Sequence, residues 1–104
     1  MIKIIDYGLG NVQAFLNVYK LLNIPASSAG KISELQGASH LILPGVGSFD
    51  PAMINLRKTD LIPSIIEWIN NGKPLIGICL GLQLLFETSD EGTSEGLGVI
   101  KGHI

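Results

Sequence analysis

Short apolar runs alternate along the chain with segments in which apolar residues recur every three or four positions. The runs predict strands at residues 2–5, 24–29, 41–43, 75–78 and 97–100. The periodic segments predict helices at residues 12–22, 49–57, 61–71 and 80–87, with a helical turn at 32–36. This alternation predicts one α/β domain over residues 1–104, built on an open, mostly parallel sheet with helices on both faces.

Two local features refine this prediction. The run at 75–78 is entirely apolar, which is typical of a central parallel strand covered on both faces. Asn11 precedes the first periodic segment and is a plausible N-cap. Because parallel sheets bind ligands outside the carboxyl ends of their strands, we expect functional residues in the strand-to-helix loops.

The composition adds an anomaly. The chain has 104 residues, of which 46% are hydrophobic and only 15% are charged. Average soluble proteins carry roughly 25% charged residues, and a small domain has proportionally more surface to cover. Either a partner covers a large face of this domain, or the chain is part of something bigger.

Charge and cysteine content exclude several classes of function. The net charge is −2, and only Arg57 and Lys58 are adjacent among the basic residues, so nucleic acid is not an expected partner. The most apolar stretch, 75–86, is too short to span a bilayer, and no signal sequence is visible. A single cysteine, Cys79, excludes an internal disulfide and fits a cytoplasmic protein.

The strongest chemical signal is Gly77-Ile78-Cys79-Leu80-Gly81, between the apolar run and a predicted helix. A nucleophile on a sharp strand-to-helix turn needs small neighbours, as in the G-x-S-x-G elbow, here with sulfur replacing oxygen. The helix N-terminus would favour the thiolate, and the Leu80 N–H would be free to stabilise an oxyanion. The alternative is a small apolar core cysteine, but the flanking glycines favour the nucleophile.

A second glycine-rich segment, Pro44-Gly45-Val46-Gly47, follows the third predicted strand. Such loops let backbone N–H groups approach a ligand closely, and this one could supply a second oxyanion donor opposite Cys79. Taken alone it is better explained as a plain turn. Beside a cysteine elbow, both explanations stay open.

Two other segments are less specific. Gly8-Leu9-Gly10 lacks the third glycine of a dinucleotide-binding loop, because position 13 is Gln, and we reject a dinucleotide site. Gln83 comes one helical turn after Cys79, so it would either face the same cleft or be an exposed helix residue.

The remaining candidates are titratable residues. Glu87, Asp90 and Glu91 form an acidic loop edge that would either hold a substrate ammonium group or remain solvated. His40 and His103 have no motif around them. Neither histidine is expected to act as a catalytic base.

Taken together, these loops resemble those of the class I glutamine amidotransferases, and most closely the glutaminase subunits of imidazole glycerol phosphate synthases. The resemblance covers the whole chain. Its motifs are Asp6-Tyr7-Gly8-Leu9-Gly10-Asn11, Leu43-Pro44-Gly45-Val46-Gly47-Ser48-Phe49, Gly77-Ile78-Cys79-Leu80-Gly81-Leu82-Gln83-Leu84-Leu85-Phe86 and Gly96-Leu97-Gly98. It implies a flavodoxin-like fold that residues 1–104 cover only about midway, as the N-terminal half.

The resemblance also implies roles for individual residues. Cys79 would attack the side-chain amide of glutamine, giving a γ-glutamyl thioester and ammonia. The backbone N–H groups of Val46 and Leu80 would form the oxyanion hole. The positions that match substrate-binding residues are Gly45, Gly47, Gln83 and Glu91. No cofactor and no metal is implied.

A protein partner follows from the same resemblance. Ammonia would pass to a cyclase subunit, a (β/α)₈ barrel, which makes imidazole glycerol phosphate and aminoimidazole carboxamide ribotide in histidine biosynthesis. Asn11 matches a position near the interface of that heterodimer. Related amidotransferases that serve surface-sugar biosynthesis would use the same glutamine chemistry.

The catalytic His and Glu of the family lie in its C-terminal half, and neither His40 nor His103 matches them. Without a Cys–His pair, we expect negligible glutaminase turnover from this chain alone. Two alternatives stay open. One is a non-catalytic module that docks on a cyclase-like partner. The other is a different cysteine-elbow α/β protein, such as a stress-response protein or a small hydrolase.

Overall fold

A computed structural model describes residues 1–104. The strands are β1 (Ile2–Ile5), β2 (Ala26–Ala29), β3 (His40–Leu43), β4 (Leu75–Gly77), β5 (Phe86–Thr88) and β6 (Ile100–His103). The helices are α1 (Val12–Leu21), α2 (Phe49–Arg57), α3 (Ile62–Asn70) and α4 (Leu80–Leu84), and a 3₁₀ turn covers Ile32–Leu35. No helix has the length and apolar character that crossing a bilayer requires.

The first four strands form one parallel sheet in the order β2-β1-β3-β4. Ile2 pairs with Ala26 on one side and His40 on the other, and Leu41 pairs with Leu75. Helical connections return the chain to the same end of the sheet between strands. The predicted α/β architecture is confirmed, and the loops that follow β1, β3 and β4 lie together at the carboxyl edge.

The main core lies on one face of the sheet. Side chains alternate between faces along a strand, so Leu41 and Leu43 point to one face and Ile42 to the other. The face with Leu41 and Leu43 packs against α2, α3 and α4, which contribute the fully buried Phe49, Ala52, Leu56, Ile65 and Leu84. On the other face Ile4 and Ile42 are buried, but α1 has no buried residue.

Strand β4 differs from its prediction. It is an edge strand rather than a central one, since β3 is its only partner. Ile76, in its middle, is 56% exposed. The apolar run is therefore a strand, as predicted, but it has one pairing partner and its middle side chain remains exposed.

The C-terminal region also differs from the prediction. The helix expected at 80–87 ends at Leu84, and the final strand lies at Ile100–His103 instead of 97–100. The reason is a set of long-range hydrogen bonds: Leu97 N–H donates to Leu84 O (2.8 Å), and Ile100 N–H donates to Leu85 O (2.9 Å). These bonds satisfy the carbonyl groups at the end of α4, and the next residues form β5, parallel to β6.

Candidate active site

Cys79 occupies the sharp turn between β4 and α4. Its backbone has φ = +56° and ψ = −122°, a conformation that residues with side chains rarely adopt. Holding such a residue costs about 1–3 kcal/mol, and this kind of strain clusters at functional sites. The turn has the strained shape that the sequence predicts for a nucleophile elbow. The catalytic role of Cys79 stays a prediction.

The glycines on either side of Cys79 are required by their neighbours. A Cβ at Gly77 would lie 2.9 Å from Leu82 Cα, and one at Gly81 would lie 2.8 Å from the carbonyl carbon of Leu43. Both contacts are with backbone atoms that cannot move aside cheaply. The thiol itself is free and exposed, so the core-cysteine alternative is wrong.

The loops that follow β1 and β3 both lie beside this turn. A Cβ on Gly10, after β1, would lie 3.1 Å from Pro44 Cβ, after β3. A Cβ on Gly45 would lie 2.9 Å from Gly81 N and 3.1 Å from Leu80 Cβ, at the start of α4. The 44–47 loop is therefore packed backbone to backbone against the N-terminus of α4, which a plain surface turn would not require.

A cavity of about 590 Å³ lies between these loops and α1. The loops contribute Gly10, Asn11, Pro44, Gly45, Val46, Ile78 and Cys79, and α1 contributes Ala14, Phe15, Val18, Tyr19 and Leu22. The structure thus brings together four of the predicted residues: Cys79, Gly45, Val46 and Asn11. Gly47, Leu80, Gln83 and Glu91 do not line this cavity.

Two backbone N–H groups near Cys79 could donate to an oxyanion. Val46 N–H donates no hydrogen bond within the protein. Leu80 is the first residue of α4, a position where the N–H has no acceptor within its own helix. Two nearby N–H groups are already hydrogen-bonded within the protein: Ile78 N–H donates to Leu43 O (3.0 Å), and Gly81 N–H donates to Ile78 O (2.9 Å).

The predicted substrate-binding residues lie in different surroundings. Gly47 is exposed, with φ = +93° and no atom within 4 Å of a Cβ built on it. Gln83 is half-buried, and its side-chain oxygen is buried without a hydrogen-bond partner. Glu91 is exposed, and its N–H donates to Ser89 Oγ (3.1 Å).

Asn11 is confirmed as the N-cap of α1. Its side-chain oxygen accepts a hydrogen bond from Ala14 N–H at 3.0 Å. The same residue lines the cavity, at the end nearest Gly10. Its predicted place at a subunit interface stays a prediction.

The two histidines lie away from Cys79. His40 is the first residue of β3, at the end of the sheet opposite the cavity, and its ring contacts Ser39. The ring of His103 is hydrogen-bonded to Thr88 Oγ1 (2.7 Å) and to the Asp90 carboxylate. No imidazole lines the cavity.

The acidic loop edge makes internal contacts. Asp90 pairs with His103, and the Glu87 carboxylate accepts a hydrogen bond from Gly102 N–H (2.9 Å). Both carboxylates therefore help to hold β6 against β5. Glu91 makes no such side-chain contact.

Sequence reasoning did not single out Tyr7. This residue is buried, and its hydroxyl donates a hydrogen bond to Pro44 O at 2.6 Å. Desolvation by burial raises the pKa of Tyr7 from 10.0 to about 12. Its position directly before the Gly8-Leu9-Gly10 segment indicates a place near that loop. The sequence does not reveal its hydrogen-bond partner, because Pro44 lies 37 residues further along the chain.

Asp50 was also not singled out. Its carboxylate, in the first turn of α2, accepts hydrogen bonds from Thr93 N–H (2.9 Å), Ser94 N–H (2.7 Å) and Thr93 Oγ1 (3.2 Å). The backbone donors Thr93 and Ser94 lower the pKa of this carboxyl group. Asp50 thereby ties the segment after Glu91 to the helix that follows the 44–47 loop.

Comparison with known proteins agrees with this architecture. The family model described as Glutamine amidotransferase class-I matches residues 2–102. The chain is 67% identical over 103 residues to an imidazole glycerol phosphate synthase subunit HisH of Prochlorococcus marinus strain NATL2A, covering 99% of this chain and 49% of that protein. The subunit HisH of strain MIT 9211 is 55% identical, with the same coverage.

A third relative, the imidazole glycerol phosphate synthase subunit HisH 2 of Parasynechococcus marenigrum strain WH8102, is 52% identical over 101 residues. The match covers 97% of this chain and 48% of that relative. The chain thus spans about half the length of the curated relatives it matches. Because the family model matches nearly the whole chain, the protein belongs to the class I glutamine amidotransferase family.

Proposed function

We propose that this chain supplies the nucleophile, the oxyanion hole and part of the glutamine site of a glutaminase in histidine biosynthesis. The observation that carries the proposal is Cys79, an exposed thiol on a strained turn in a cavity shared with Gly45 and Val46. Similarity to relatives named as imidazole glycerol phosphate synthase subunits supports the pathway.

In the proposed reaction, the Cys79 thiolate attacks the side-chain amide carbon of glutamine, and the carbonyl electron pair moves onto the oxygen. The N–H groups of Val46 and Leu80 donate to this oxyanion, whose charge is greatest in the transition state. When the intermediate collapses, the C–N bond breaks, the nitrogen takes a proton and ammonia leaves. Water then hydrolyses the thioester to glutamate and restores the thiol.

Glutamine would be held by residues on both sides of Cys79. Gly45 and Gly47 present backbone in the 44–47 loop, and the absence of a side chain lets a ligand approach closely. Gln83 offers a buried oxygen that lacks a donor, which the substrate's ammonium or amide N–H could supply. Glu91 offers an exposed carboxylate of suitable charge for the ammonium group.

The base for this reaction would come from outside residues 1–104. Thiol activation and protonation of the leaving nitrogen need a positioned acid–base group, and no imidazole lines the cavity. The family resemblance implies that a His and a Glu of the second half perform this role. We therefore expect negligible glutamine turnover by this chain alone.

The ammonia acceptor would be a cyclase subunit, a (β/α)₈ barrel that makes imidazole glycerol phosphate and aminoimidazole carboxamide ribotide. Asn11 would lie near that interface in a cytoplasmic heterodimer. Asn11 lines the same cavity as Cys79, so an interface there would place the acceptor close to the ammonia source.

The test is the intact mass of the natively expressed protein before and after exposure to a glutamine-like diazoketone, with Cys79→Ser as the control. A mass above 11.1 kDa for the native species, or an adduct on Cys79 that free glutamine prevents, supports a completed glutamine site. Iodoacetamide, which lacks the glutamine moiety, serves as the matched electrophile. Equal labelling by both reagents without glutamine protection would instead indicate a different cysteine-elbow protein.

A second candidate function is a docking module without catalysis. The separation of both histidines from Cys79 favours it, because an unassisted thiol is a poor amidase. It predicts a species of 11.1 kDa that binds a cyclase-like barrel, carries no diazoketone adduct and releases no glutamate.

A further inference from the structure

We propose that Tyr7 is a positioning residue for the oxyanion hole, because its hydroxyl holds the 44–47 loop in the orientation that presents Val46 N–H. The inference rests on the proposed glutaminase chemistry. It concerns a residue that has no role in the proposed reaction and does not line the cavity with Cys79.

The hydrogen-bonding pattern of the 44–47 loop carries the argument. Pro44 has no N–H, and the N–H groups of Gly45, Val46 and Gly47 donate no hydrogen bond within the protein. The only hydrogen bond that any backbone group of this loop makes is the one from Tyr7 Oη to Pro44 O, at 2.6 Å. The loop's orientation therefore depends on packing and on this single polar contact.

Burial makes that contact difficult to replace. Tyr7 is 5% exposed, and Pro44 is fully buried beside it. Water cannot readily reach the Pro44 carbonyl if the hydroxyl is removed, so the group would remain unpaired or the loop would turn to expose it. The raised pKa of Tyr7 keeps the hydroxyl protonated, and therefore able to donate, across the physiological pH range.

The position of Tyr7 links the hydroxyl to the oxyanion donor. A Cβ on Gly45 would lie 2.6 Å from Tyr7 Oη and 2.9 Å from Gly81 N, so Gly45 is packed between the hydroxyl and the start of α4. Val46 follows directly. A rotation of the Pro44–Gly45 peptide would therefore move Val46 N–H relative to Cys79 and Leu80.

Loss of the Tyr7 hydroxyl should weaken the binding of a group that occupies the oxyanion position. It should leave ground-state binding of the ligand unchanged. A matched pair of ligands separates the two: the nitrile analogue of glutamine and its terminal-alkyne isostere. The Cys79 sulfur adds to the nitrile carbon and the thiol proton moves to the nitrile nitrogen, giving a thioimidate whose nitrogen occupies the oxyanion position. The alkyne has the same shape but does not add the thiol readily.

The experiment compares Tyr7→Phe with Thr59→Val, using protection of Cys79 from iodoacetamide to measure the affinity of each ligand. Thr59 is the matched control, because its half-buried hydroxyl also donates to a backbone carbonyl, Leu56 O at 2.6 Å, and it does not line the cavity. We expect Tyr7→Phe to lose about tenfold to a hundredfold in nitrile affinity, the range for a displaced catalytic group. Its alkyne affinity, and both affinities of Thr59→Val, should be unchanged.

Amide NMR signals of Gly45 and Val46 provide a readout that needs no ligand. They should shift or broaden in Tyr7→Phe but not in Thr59→Val, while the rest of the spectrum shows a folded chain. Unchanged signals, or shifted signals with unchanged nitrile affinity, would overturn the inference. If neither ligand protects Cys79 in the unaltered protein, the proposed function fails instead. The amide signals then decide whether Tyr7 holds the loop.

Discussion

On one face of the sheet, α2 and α3 bury Phe49, Leu56 and Ile65 completely, whereas on the other face α1 contains no buried residue and leaves Leu21 84% exposed. The first face is covered by helices and forms a buried hydrophobic core. The second face contains the cavity with Cys79 and ends at the exposed strand β4. The buried core and the candidate site are therefore on different faces: the closed face contains the core, and the open face contains the cavity with Cys79.

The open face also accounts for the composition. Large apolar side chains such as Leu21, Leu22 and Ile76 are exposed on α1, after it and on β4, in a chain with only 15% charged residues. Exposed apolar surface beyond scattered single residues is typical of protein–protein interfaces and ligand-binding grooves. The relatives are about twice as long as this chain, since it covers 49% of the first of them.

The largest expected difference between the two faces is in core truncation. Phe49→Ala removes a fully buried ring and should lower the free energy of unfolding by about 3–5 kcal/mol. Phe15→Ala, on the half-covered face, should cost less than about 1.5 kcal/mol, because its ring buries less area. Urea unfolding followed by circular dichroism measures both. Equal losses in the free energy of unfolding would show that the two faces contribute equally to stability.

The boundary between the faces can be tested with glycines. A Cβ at Gly81 would overlap the carbonyl of Leu43, so Gly81→Ala must displace α4. It should lower the free energy of unfolding by about 3 kcal/mol. A Cβ at Gly47 would have no atom within 4 Å. Gly47→Ala should therefore lower the free energy of unfolding only because of the positive φ, by about 1–2 kcal/mol.

Thermal unfolding measures both costs, and iodoacetamide labelling reports whether Cys79 has moved. We expect altered labelling only for Gly81→Ala. If Gly81→Ala is the milder change, then the close packing of the 44–47 loop on α4 is not what fixes the elbow.

How much of this could be predicted from the sequence depends on how local the determinants are. Strands β1 and β3 and helices α1 to α3 follow from apolar periodicity within each segment. The Cys79 elbow follows from Gly77 and Gly81, which flank it directly. These features require only neighbouring residues, so the pattern along the chain was sufficient to find them.

The features that sequence reasoning missed depend on distant partners. The end of α4 is set by Leu97 and Ile100, whose N–H groups donate to carbonyls at that end. Tyr7 bonds a carbonyl 37 residues away, and Asp50 accepts from a backbone N–H 43 residues away. No periodicity marks such pairs. The exposed edge at β4 was missed for a related reason, because an apolar run does not reveal how many strands pair with it.

A smaller effect is expected on the open face from the cap of α1. Asn11→Ala removes the acceptor for Ala14 N–H and should lower the free energy of unfolding by about 1 kcal/mol. Asn11→Asp keeps the acceptor and should be nearly neutral. Urea unfolding measures the difference. If Asn11→Ala is neutral too, then α1 contributes little to stability, and Asn11 is free to serve an interface.

The smallest effect is expected at Asp50, and it should depend on pH. Hydrogen bonds from Thr93 and Ser94 lower the pKa of this carboxyl group in the folded chain. A group whose pKa is lower in the folded state adds stability above its unfolded pKa. That stability is lost as pH falls through the folded value. The contribution should therefore be complete at pH 7, begin to fall near about pH 4, where the unfolded carboxyl group takes up its proton, and be lost only below the folded pKa.

Asp50→Asn removes this dependence, so the unfolding midpoints of the variant and the unaltered chain should differ at pH 7 and converge in acid. Asp60→Asn is the matched control, because the Asp60 carboxylate accepts one backbone N–H, from Ile32 at 3.1 Å, on another part of the surface. Hydrogen exchange should locate the effect of Asp50→Asn at Thr93 and Ser94. A loss that persists in acid would mean that Asp50 acts through packing, and the attachment of the Glu91 segment to the closed face would then need another cause.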